Sequence, residues 1–388
     1  MQPRERVITS LNHETPDRVP RDIGSLPVTG IHEEAYRNYL SKYYTKLLKE
    51  EEIEIEDTKQ QLAKVHEKVL RQWKIDTRGV WAKPGSDWTF EIKEGKKHFK
   101  FTDEWGISWG KPKESGYYFD IRGNPLSGDI DKQDVLEYPW PNPKDKARIK
   151  GLKKRIKTLN KDRRYFITMT GLGPGIYEIA QWLRGYKDLW LDFLRDPELA
   201  HCLLEKVTEL KLDFWEMALS EVGDLIDTVY MADDIGTQED LQISLGTYRE
   251  LVKPYQSKVF HFIKSRAPSK IYIFYHSDGA VKQAIPDLID AGIDALNPVQ
   301  VSAKGMDPAE LKDNFGKEII FWGGGPNPHG TLRKGSQDQV AREIRSRIDK
   351  LSPNGGWVFA PIHNIQPDVT AEKLQTTIDT MDKYGTYE

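Results

Sequence analysis

Eight short apolar segments recur along the chain, and most of them alternate with helical patterns. They are Arg18–Gly24, Lys74–Val80, Tyr165–Gly171, Leu225–Met231, Ile271–Tyr275, Asp294–Asn297, Glu318–Gly323 and Trp357–Ala360. Short runs rich in β-branched and aromatic residues are typical of buried strands. Eight such strands joined by crossover helices predict a closed parallel (β/α)8 TIM barrel. An open doubly wound sheet is the alternative, although no glycine-rich phosphate fingerprint follows the first segment.

Residues 80–125 depart from this alternation. Thr89–Lys93 and His98–Phe101 alternate at period two on either side of Gly95, a pattern typical of an antiparallel hairpin. Further aromatic residues, among them Trp105 and Trp109, follow closely. We therefore predict a β-hairpin insertion near residues 80–125 that covers one end of the barrel. The whole chain, residues 1–388, is expected to form one barrel domain, because such barrels often exceed the usual domain size.

Composition narrows the class of protein. The chain has 57 basic and 60 acidic residues and a formal net charge of −3, so nothing indicates a nucleic acid or other polyanionic partner. No apolar run approaches the roughly 20 residues of a membrane span, and the N-terminus lacks the apolar core of a signal peptide. Cys202 is the only cysteine, which excludes disulfides and thiolate zinc cages. These features predict a cytoplasmic enzyme.

Polar residues collect where the predicted strands end. In a closed barrel, these strand ends converge on one rim. Asp233 and Asp234 follow one strand directly. Two adjacent carboxylates can bind a metal, or one can act as a catalytic acid or base. Alternatively, one caps a helix while the other pairs with an arginine, and the sequence does not distinguish the two residues.

Histidines follow two other strands. Ile271–Tyr275 is followed at once by His276 and then Asp278, and His363 follows the last strand. Together His276, Asp278 and His363 could form a three-ligand set that leaves a fourth position open, as catalytic zinc requires. The same residues could instead hydrogen-bond substrate carboxylates without a metal, and Asp278 could simply cap the next helix.

Four further residues are candidates for substrate binding. Arg78 and Asn297 stand at strand ends, and Tyr177 follows the glycine-rich end of the strand at 165–171. Trp322 precedes three glycines and would suit an aromatic substrate, whereas most of the 11 tryptophans must serve packing. The glycines either allow close approach of a flat ligand or make a tight turn.

Several segments resemble the uroporphyrinogen decarboxylase-like superfamily. They are Arg4-Glu-Arg-Val-Ile, Leu11–Pro20, Ala291–Gln300, Gly305–Pro308 and His363–Asp368. The resemblance runs from about residue 3 to residue 384 and implies a single (β/α)8 barrel. The superfamily contains decarboxylases of the porphyrinogen and also zinc-dependent methyltransferases that work with corrinoid proteins.

The resemblance is stronger to the methyltransferase branch. The true decarboxylases hold substrate carboxylates with two arginines in a Met-Arg-Gln-Ala-Gly-Arg context, where this chain has Pro20-Arg-Asp-Ile-Gly-Ser25. The methyltransferases carry a His-x-Cys-Gly metal motif and a second cysteine near the C-terminus. Here Asp278 and His363 take the two cysteine positions, which favours an oxygen or nitrogen methyl donor over thiol chemistry.

The sequence therefore predicts a zinc-dependent methyltransferase that moves a methyl group from a small methoxylated or N-methylated substrate to a corrinoid protein. The metal ligands would be His276, Asp278 and His363, and Asp233, Asp234 and His363 are the candidate catalytic residues. One alternative is a metal-free decarboxylase of a cyclic carboxylic acid, with Arg78 and His363 gripping carboxylates. A non-catalytic barrel that binds a tetrapyrrole or corrinoid protein is the third possibility.

Overall fold

The computed structural model describes residues 1–114 and 116–387. Ser115, inside the predicted insertion, and Glu388, at the end of the predicted domain, lie outside the described residues. The strands are β1 (Ile55–Asp57), β2 (Leu62–Ala63), β3 (Thr77–Val80), β4 (Lys93–Glu94), β5 (His98–Thr102), β6 (Ser108–Pro112), β7 (Asp120–Gly123), β8 (Phe166–Thr170), β9 (Thr228–Ala232), β10 (Tyr272–His276), β11 (Ala295–Asn297), β12 (Ile320–Trp322) and β13 (Trp357–Val358).

Helices follow most strands of the barrel. They are α1 (Pro3–Leu11), α2 (Glu33–Tyr43), α3 (Thr45–Glu50), α4 (Glu67–Gln72), α5 (Lys132–Glu137), α6 (Leu152–Leu159), α7 (Tyr177–Arg184), α8 (Tyr186–Arg195), α9 (Pro197–Val222), α10 (Leu245–Thr247), α11 (Lys253–Arg266), α12 (Ile285–Ala291), α13 (Pro308–Phe315), α14 (Thr331–Lys334), α15 (Gln337–Leu351) and α16 (Ala371–Tyr384). A π-helical turn, Tyr248–Val252, leads into α11. None of the helices in the described part of the chain combines the length and apolarity that a membrane crossing needs.

Seven strands form one sheet in the order β13-β12-β11-β10-β9-β8-β3. The registers of the β9–β10, β11–β12 and β12–β13 pairs are parallel. Six of these strands, β8 to β13, are buried at every position, which explains why they read as continuous apolar runs. The predicted α/β fold, a (β/α)8 TIM barrel, is confirmed.

The first predicted strand, Arg18–Gly24, is not a regular strand in the structure. Its backbone nevertheless bonds on both sides: Asp22 N donates to Phe359 O at 2.8 Å, and Asp76 N donates to Arg21 O at 3.0 Å. The segment thus lies between the chain just after β13 and the chain just before β3. Pro20 has no N–H to donate, so the ladder is reduced to isolated bridges.

Two compact units can be distinguished by their internal contacts. The first comprises Met1–Gly79, Asn160–Thr168 and Asp294–Glu388. In it, Asp76 is fully buried and accepts bonds from Arg6 (2.6 Å) and twice from Arg18 (2.9 Å). These two arginines belong to the N-terminal segment that carries the family resemblance, so part of that signature serves to anchor the chain to the start of β3.

The second unit comprises Val80–Leu159 and Met169–Ile293 and contains the predicted insertion. Strands β4 to β7 form a four-stranded antiparallel sheet, in which β4 pairs with β5 around the predicted turn. The predicted insertion is confirmed and is larger than one hairpin. Trp109 is buried, donates to Asp103 at 2.9 Å and packs edge-on against Trp182 of α7.

Candidate metal and acid–base site

The ends of β9 and β10 carry four of the predicted site residues. The two strands are parallel, and His276 lies opposite Ala232, the last residue of β9. The chain continues from β9 into Asp233 and Asp234, and from β10 into Asp278 two residues later. Asp233 N donates to His276 O at 3.0 Å, which extends the pairing by one residue. The register of this strand pair therefore fixes which residues meet at its carboxyl end.

The imidazole of His276 faces two carboxylates. Its Nε2 lies 3.7 Å from Asp234 Oδ1 and 3.9 Å from Asp278 Oδ2. The histidine is only 4% exposed, whereas the two aspartates are partly exposed. Asp278 N donates to Asp234 Oδ1 at 2.8 Å, so the carboxylate of Asp234 is held by the backbone that follows β10. One nitrogen and two carboxylates at this spacing attract a proton or a divalent cation.

Asp278 does not cap the next helix, which was one of the alternatives. The helical turn Lys282–Ala284 begins after Val281, and α12 begins after Ala284. The loop is shaped instead by two glycines. A Cβ on Gly279, which has a φ of +97°, would lie 2.5 Å from Thr237 O, and one on Gly236 would lie 2.6 Å from Asp278 O. The loops after β9 and β10 thus touch through their backbones.

Asp233 points away from His276 and into the protein. It is fully buried, and its carboxylate accepts bonds from Glu178 N (2.8 Å) and Gln256 Nε2 (2.7 Å). Burial raises the pKa of Asp233 to about 6, against the effect of these bonds. Burial likewise lowers the pKa of Lys211, near Asp233, to about 8. The geometry therefore distinguishes the two aspartates that the sequence left equivalent.

His363 stands in the segment after β13. The segment is anchored around it: Ile365 N donates to Gly30 O at 2.9 Å, and Gln366 Nε2 donates to Asn364 Oδ1 at 2.9 Å. The ring of His363 lies 6.4 Å from the ring of His329. One potential ligand atom from each of His276, Asp278 and His363 lies within 4.8 Å of the others.

Two predicted substrate residues are engaged in structural contacts. Arg78 is buried; its Nε and Nη2 donate to Glu67 at 2.8 and 2.9 Å, and its guanidinium stacks 3.7 Å from the Tyr165 ring centroid. Tyr177 is fully buried, and its hydroxyl accepts from Trp190 Nε1 at 2.8 Å. Packing and pairing with neighbouring side chains therefore account for the positions of Arg78 and Tyr177.

Trp322 and Asn297, the other two predicted substrate residues, lie in the interior. Trp322 is fully buried and donates through Nε1 to Asp22 Oδ2 at 3.0 Å. Asn297 is equally buried and donates to Trp322 O at 2.7 Å. Burial also raises the pKa of Asp22, which accepts from Thr77 Oγ1 at 2.8 Å. The indole therefore belongs to a polar cluster inside the barrel.

The sequence analysis missed Gln256 and Lys211, which surround Asp233. Gln256 lies on α11 and Lys211 lies on α9, so neither is close to residue 233 in the sequence. Both are almost completely buried polar residues in otherwise apolar helical stripes. The sequence signal that could have identified them is a long polar side chain at a helical position that faces the core, because a buried polar group needs a hydrogen-bond partner.

Comparisons with known proteins agree on one family. The sequence model of the family described as uroporphyrinogen decarboxylase (URO-D) matches residues 123–384. A uroporphyrinogen decarboxylase from Chlorobium phaeovibrioides is 26% identical over 188 residues, 48% of this chain and 49% of that protein. One from Rhodococcus opacus is 24% identical over 190 residues, 47% of this chain and 48% of that protein. The chain thus spans about half the length of the curated relatives it matches.

Among solved structures, a methyltransferase from Methanosarcina mazei is similar over 99% of both chains, with a TM-score of 0.66 and 17% sequence identity. At that identity the likeness supports the fold. It extends over nearly the whole chain, including the first 122 residues, which the family model does not match.

Proposed function

The chain belongs to the uroporphyrinogen decarboxylase family, and from this premise we propose that it is a zinc-dependent methyltransferase. It transfers a methyl group from a small methoxylated or N-methylated substrate to a corrinoid protein. His276, Asp278 and His363 hold the metal, and Asp234 acts as the acid at the leaving atom. Membership of this enzyme superfamily is the broader conclusion, on which these specific assignments build.

The environment of His276 is the observation that carries the proposal. The Nε2 of the nearly buried imidazole lies 3.7 Å from one carboxylate oxygen and 3.9 Å from another, at the carboxyl end of a barrel strand. That end is where barrel enzymes place their chemistry. Two carboxylates near one imidazole favour a positive charge at that place.

The donor set fits zinc in kind and in spacing. Zinc takes imidazole nitrogen and carboxylate oxygen at about 2.0–2.2 Å, so tetrahedral ligand atoms stand about 3.4 Å apart. The candidate atoms of His276, Asp278 and His363 lie within 4.8 Å of one another, so side-chain rotations that move these atoms by about an ångström suffice. Bound zinc would act as a Lewis acid on the heteroatom that leaves the methyl group.

Asp234 is the better of the two candidate acids. Its side chain is 37% exposed and reaches toward His276 Nε2, so it can exchange protons with bound substrate and with water. Asp233 is fully buried and occupied by two donors. We therefore assign the proton that the leaving oxygen or nitrogen requires to Asp234.

The insertion supports a role in shaping the substrate pocket. Trp105 reaches the loop after β8, because its Nε1 lies 3.5 Å from where a Cβ on Gly173 would stand. Trp109 packs against Trp182, on the helix that follows the same loop. Aromatic side chains beside a strand-end loop suit a flat methoxylated ring.

The corrinoid partner is proposed on two grounds. The structurally similar protein from Methanosarcina mazei is a methyltransferase. The resemblance of residues 276–278 and 363 to the metal motif of the methyltransferase branch implies the same kind of methyl acceptor. The first ground favours methyl transfer, and the second favours a corrinoid protein as the acceptor of the methyl group.

A metal-free decarboxylase is the second candidate, because the curated relatives are named uroporphyrinogen decarboxylases. The arginines argue against it. Arg21 is 2% exposed and donates to Asp382 at 2.6 Å, and Arg78 is bound to Glu67. A polycarboxylate substrate needs accessible cations. Release of carbon dioxide in the presence of chelator would favour the decarboxylase.

Metal analysis of the purified protein tests the proposal. We expect about one zinc per chain in the wild type and its loss in His276→Ala, since that variant removes the buried ligand. His261→Ala is the matched control, because His261 is an exposed residue of α11 that bonds to Ser257, one turn before it. Corrinoid methylation assays across methoxylated and N-methylated compounds then identify the donor. Full activity in zinc-free protein, or unchanged zinc in His276→Ala, would refute the assignment.

A further inference from the structure

Asp233 connects three consecutive strand ends of the candidate site. Its carboxylate accepts from Glu178 N, in the first turn of α7, which follows the loop after β8. Its own backbone continues β9, and its N–H donates to His276 O at the end of β10. A Cβ on Gly175 would overlap Asp233 Oδ1, so that loop lies directly against the carboxylate.

The polar atoms around Asp233 form a hydrogen-bond network in which the carboxylate fixes which atoms donate and which accept. Because a carboxylate only accepts, Gln256 must turn its amide nitrogen toward Asp233 Oδ2, at 2.7 Å. The same nitrogen donates to Tyr275 Oη at 2.9 Å, and Tyr275 Oη donates to Asp233 O at 3.1 Å. Gln256 Oε1 accepts from Tyr248 Oη at 2.8 Å. All four residues are buried.

Lys211 holds the other side of the same loop. Its buried ammonium donates to Leu172 O at 2.8 Å and to Pro174 O at 2.9 Å. The negative charge of Asp233 favours this ammonium across the loop. The loop after β8 is therefore held from two sides. The Lys211 ammonium binds its carbonyl groups, and the Asp233 carboxylate binds the backbone amide at its end.

We propose that Asp233 is a positioning residue, which fixes the 171–176 loop and the backbone of His276 without touching metal or substrate. The inference rests on the proposed function of the same site and divides the work of its two adjacent aspartates. Asp234 exchanges the proton, and Asp233 holds the surrounding backbone in place.

The fixed assignment of donors and acceptors permits a reciprocal test. Asp233→Asn keeps only one acceptor oxygen, so Glu178 N and Gln256 Nε2 can no longer both donate to this side chain. In Gln256→Glu two carboxylates face each other. The double variant Asp233→Asn with Gln256→Glu restores a donor opposite an acceptor, and it restores the negative charge near Lys211.

Two measurements are made on these variants: hydrogen exchange of the amides at residues 171–178 in metal-free protein, and zinc affinity. We expect each single variant to exchange at least about tenfold faster and to bind zinc about 10–100-fold more weakly, as is usual for residues that orient ligands. The double variant should recover both to within about threefold. Asp22→Asn, which alters another fully buried carboxylate, should leave the exchange at 171–178 unchanged.

Additive losses in the double variant, or wild-type exchange in both single variants, would overturn the positioning role. Absence of zinc binding in the wild type would instead count against the proposed function. Exchange in the metal-free protein would still decide the role of Asp233, so the two failures are distinguishable.

Discussion

Asp233 and Asp234 are neighbours in the chain, yet their carboxylates lie in different surroundings. Successive side chains at a strand end point to opposite sides, and here one side is the interior and the other the strand-end loops. Burial raises the pKa of Asp233 to about 6, while Asp234 stays partly exposed beside His276. The pair can be recognised in the sequence, but only the direction of each side chain supports the different roles proposed for the two residues.

Replacing Asp234 by Asn tests its role as an acid. The amide keeps an oxygen for Asp278 N but cannot deliver a proton, so we expect kcat to fall about 10²-fold or more. Zinc content should not change, because Asp234 is not among the proposed ligands. Steady-state kinetics and metal analysis check both points. Asp240→Asn, on the same loop, is the control, and an equal loss of activity there would contradict the assignment.

Other residue-level predictions rested mainly on position near a strand end. Trp322 is the last residue of β12, but Arg78 is the second residue of β3 and does not stand at its end. The polar groups of Arg78 and Trp322 are bound by Glu67 and Asp22. Asp22 lies 300 positions from Trp322, in a segment predicted only as a strand, whereas Glu67 lies 11 positions before Arg78. The sequence contains the partners but does not show that they are partners.

At the scale of elements, the loops after β9 and β10 determine the geometry of the site. Gly236 and Gly279 allow the two backbones to touch, and Ala280 N donates to Thr237 O at 2.7 Å across the contact. Asp278 is therefore held by the loop that also carries Asp234. The two strands and their polar ends were predictable from their residues, but the loop contact depends on the register between strands.

Gly279→Ala tests this contact. The new methyl would meet Thr237 O at 2.5 Å in a backbone with a φ of +97°, so we expect more than about 1 kcal/mol of lost stability and weaker zinc binding. Gly128→Ala is a matched control, since Gly128 has a φ of +87° and nothing within 4 Å of the new Cβ. Urea unfolding and zinc titration separate backbone strain from loop displacement. Equal zinc affinity in both variants would refute the role of the contact.

The presence of each strand was easier to predict than its first and last residues. Seven of the eight predicted segments contain a strand of the parallel sheet, because buried parallel strands are apolar throughout. The insertion was recognised from its period-two pattern, yet the predicted arm Thr89–Lys93 becomes a strand only at Lys93–Glu94. Pairing partners, rather than propensity, set those limits.

For the whole molecule, the segment 18–24 connects the chain after β13 with the chain before β3. Arg21 forms an isolated bridge with Phe359, and Asp76 N donates to Arg21 O. The charged anchors of the segment lie around Asp76, where Arg6 and Arg18 meet. The barrel could be predicted from the number of strands. This mode of closure could not be predicted, because it depends on ion pairs between residues that are far apart in the chain. Arg6 lies 70 positions from Asp76, and Arg18 lies 58 positions from it.

Arg6→Met tests the anchor. Arg6 binds buried Asp76 at 2.6 Å and Asp17 at 2.6 and 2.8 Å, so its loss should cost about 3 kcal/mol at neutral pH. Arg37→Met, which removes an exposed pair with Glu33, should cost less than about 1 kcal/mol. Urea unfolding of both variants measures the difference.

The pH dependence of that difference has a defined sign. Bonds from Arg6 hold the pKa of Asp17 well below its ordinary value, so the folded state binds this proton less readily than the unfolded state. The stabilisation is therefore present above about pH 4, the ordinary range of an unfolded aspartate, and is lost as the pH falls further. The gap between wild type and Arg6→Met should narrow at about pH 3; a constant gap would contradict the role of Asp17.

X-ray absorption at the zinc edge of the metal-loaded protein tests the central claim most directly. With Asp278 and His363 in place of thiolates, we expect only nitrogen and oxygen neighbours at about 2.0–2.2 Å and imidazole scattering that diminishes in His363→Ala. A sulfur neighbour at about 2.3 Å would contradict the claim, and Cys202, the single cysteine of the sequence, is the thiolate that could supply it. A spectrum that is unchanged in His363→Ala would also contradict it.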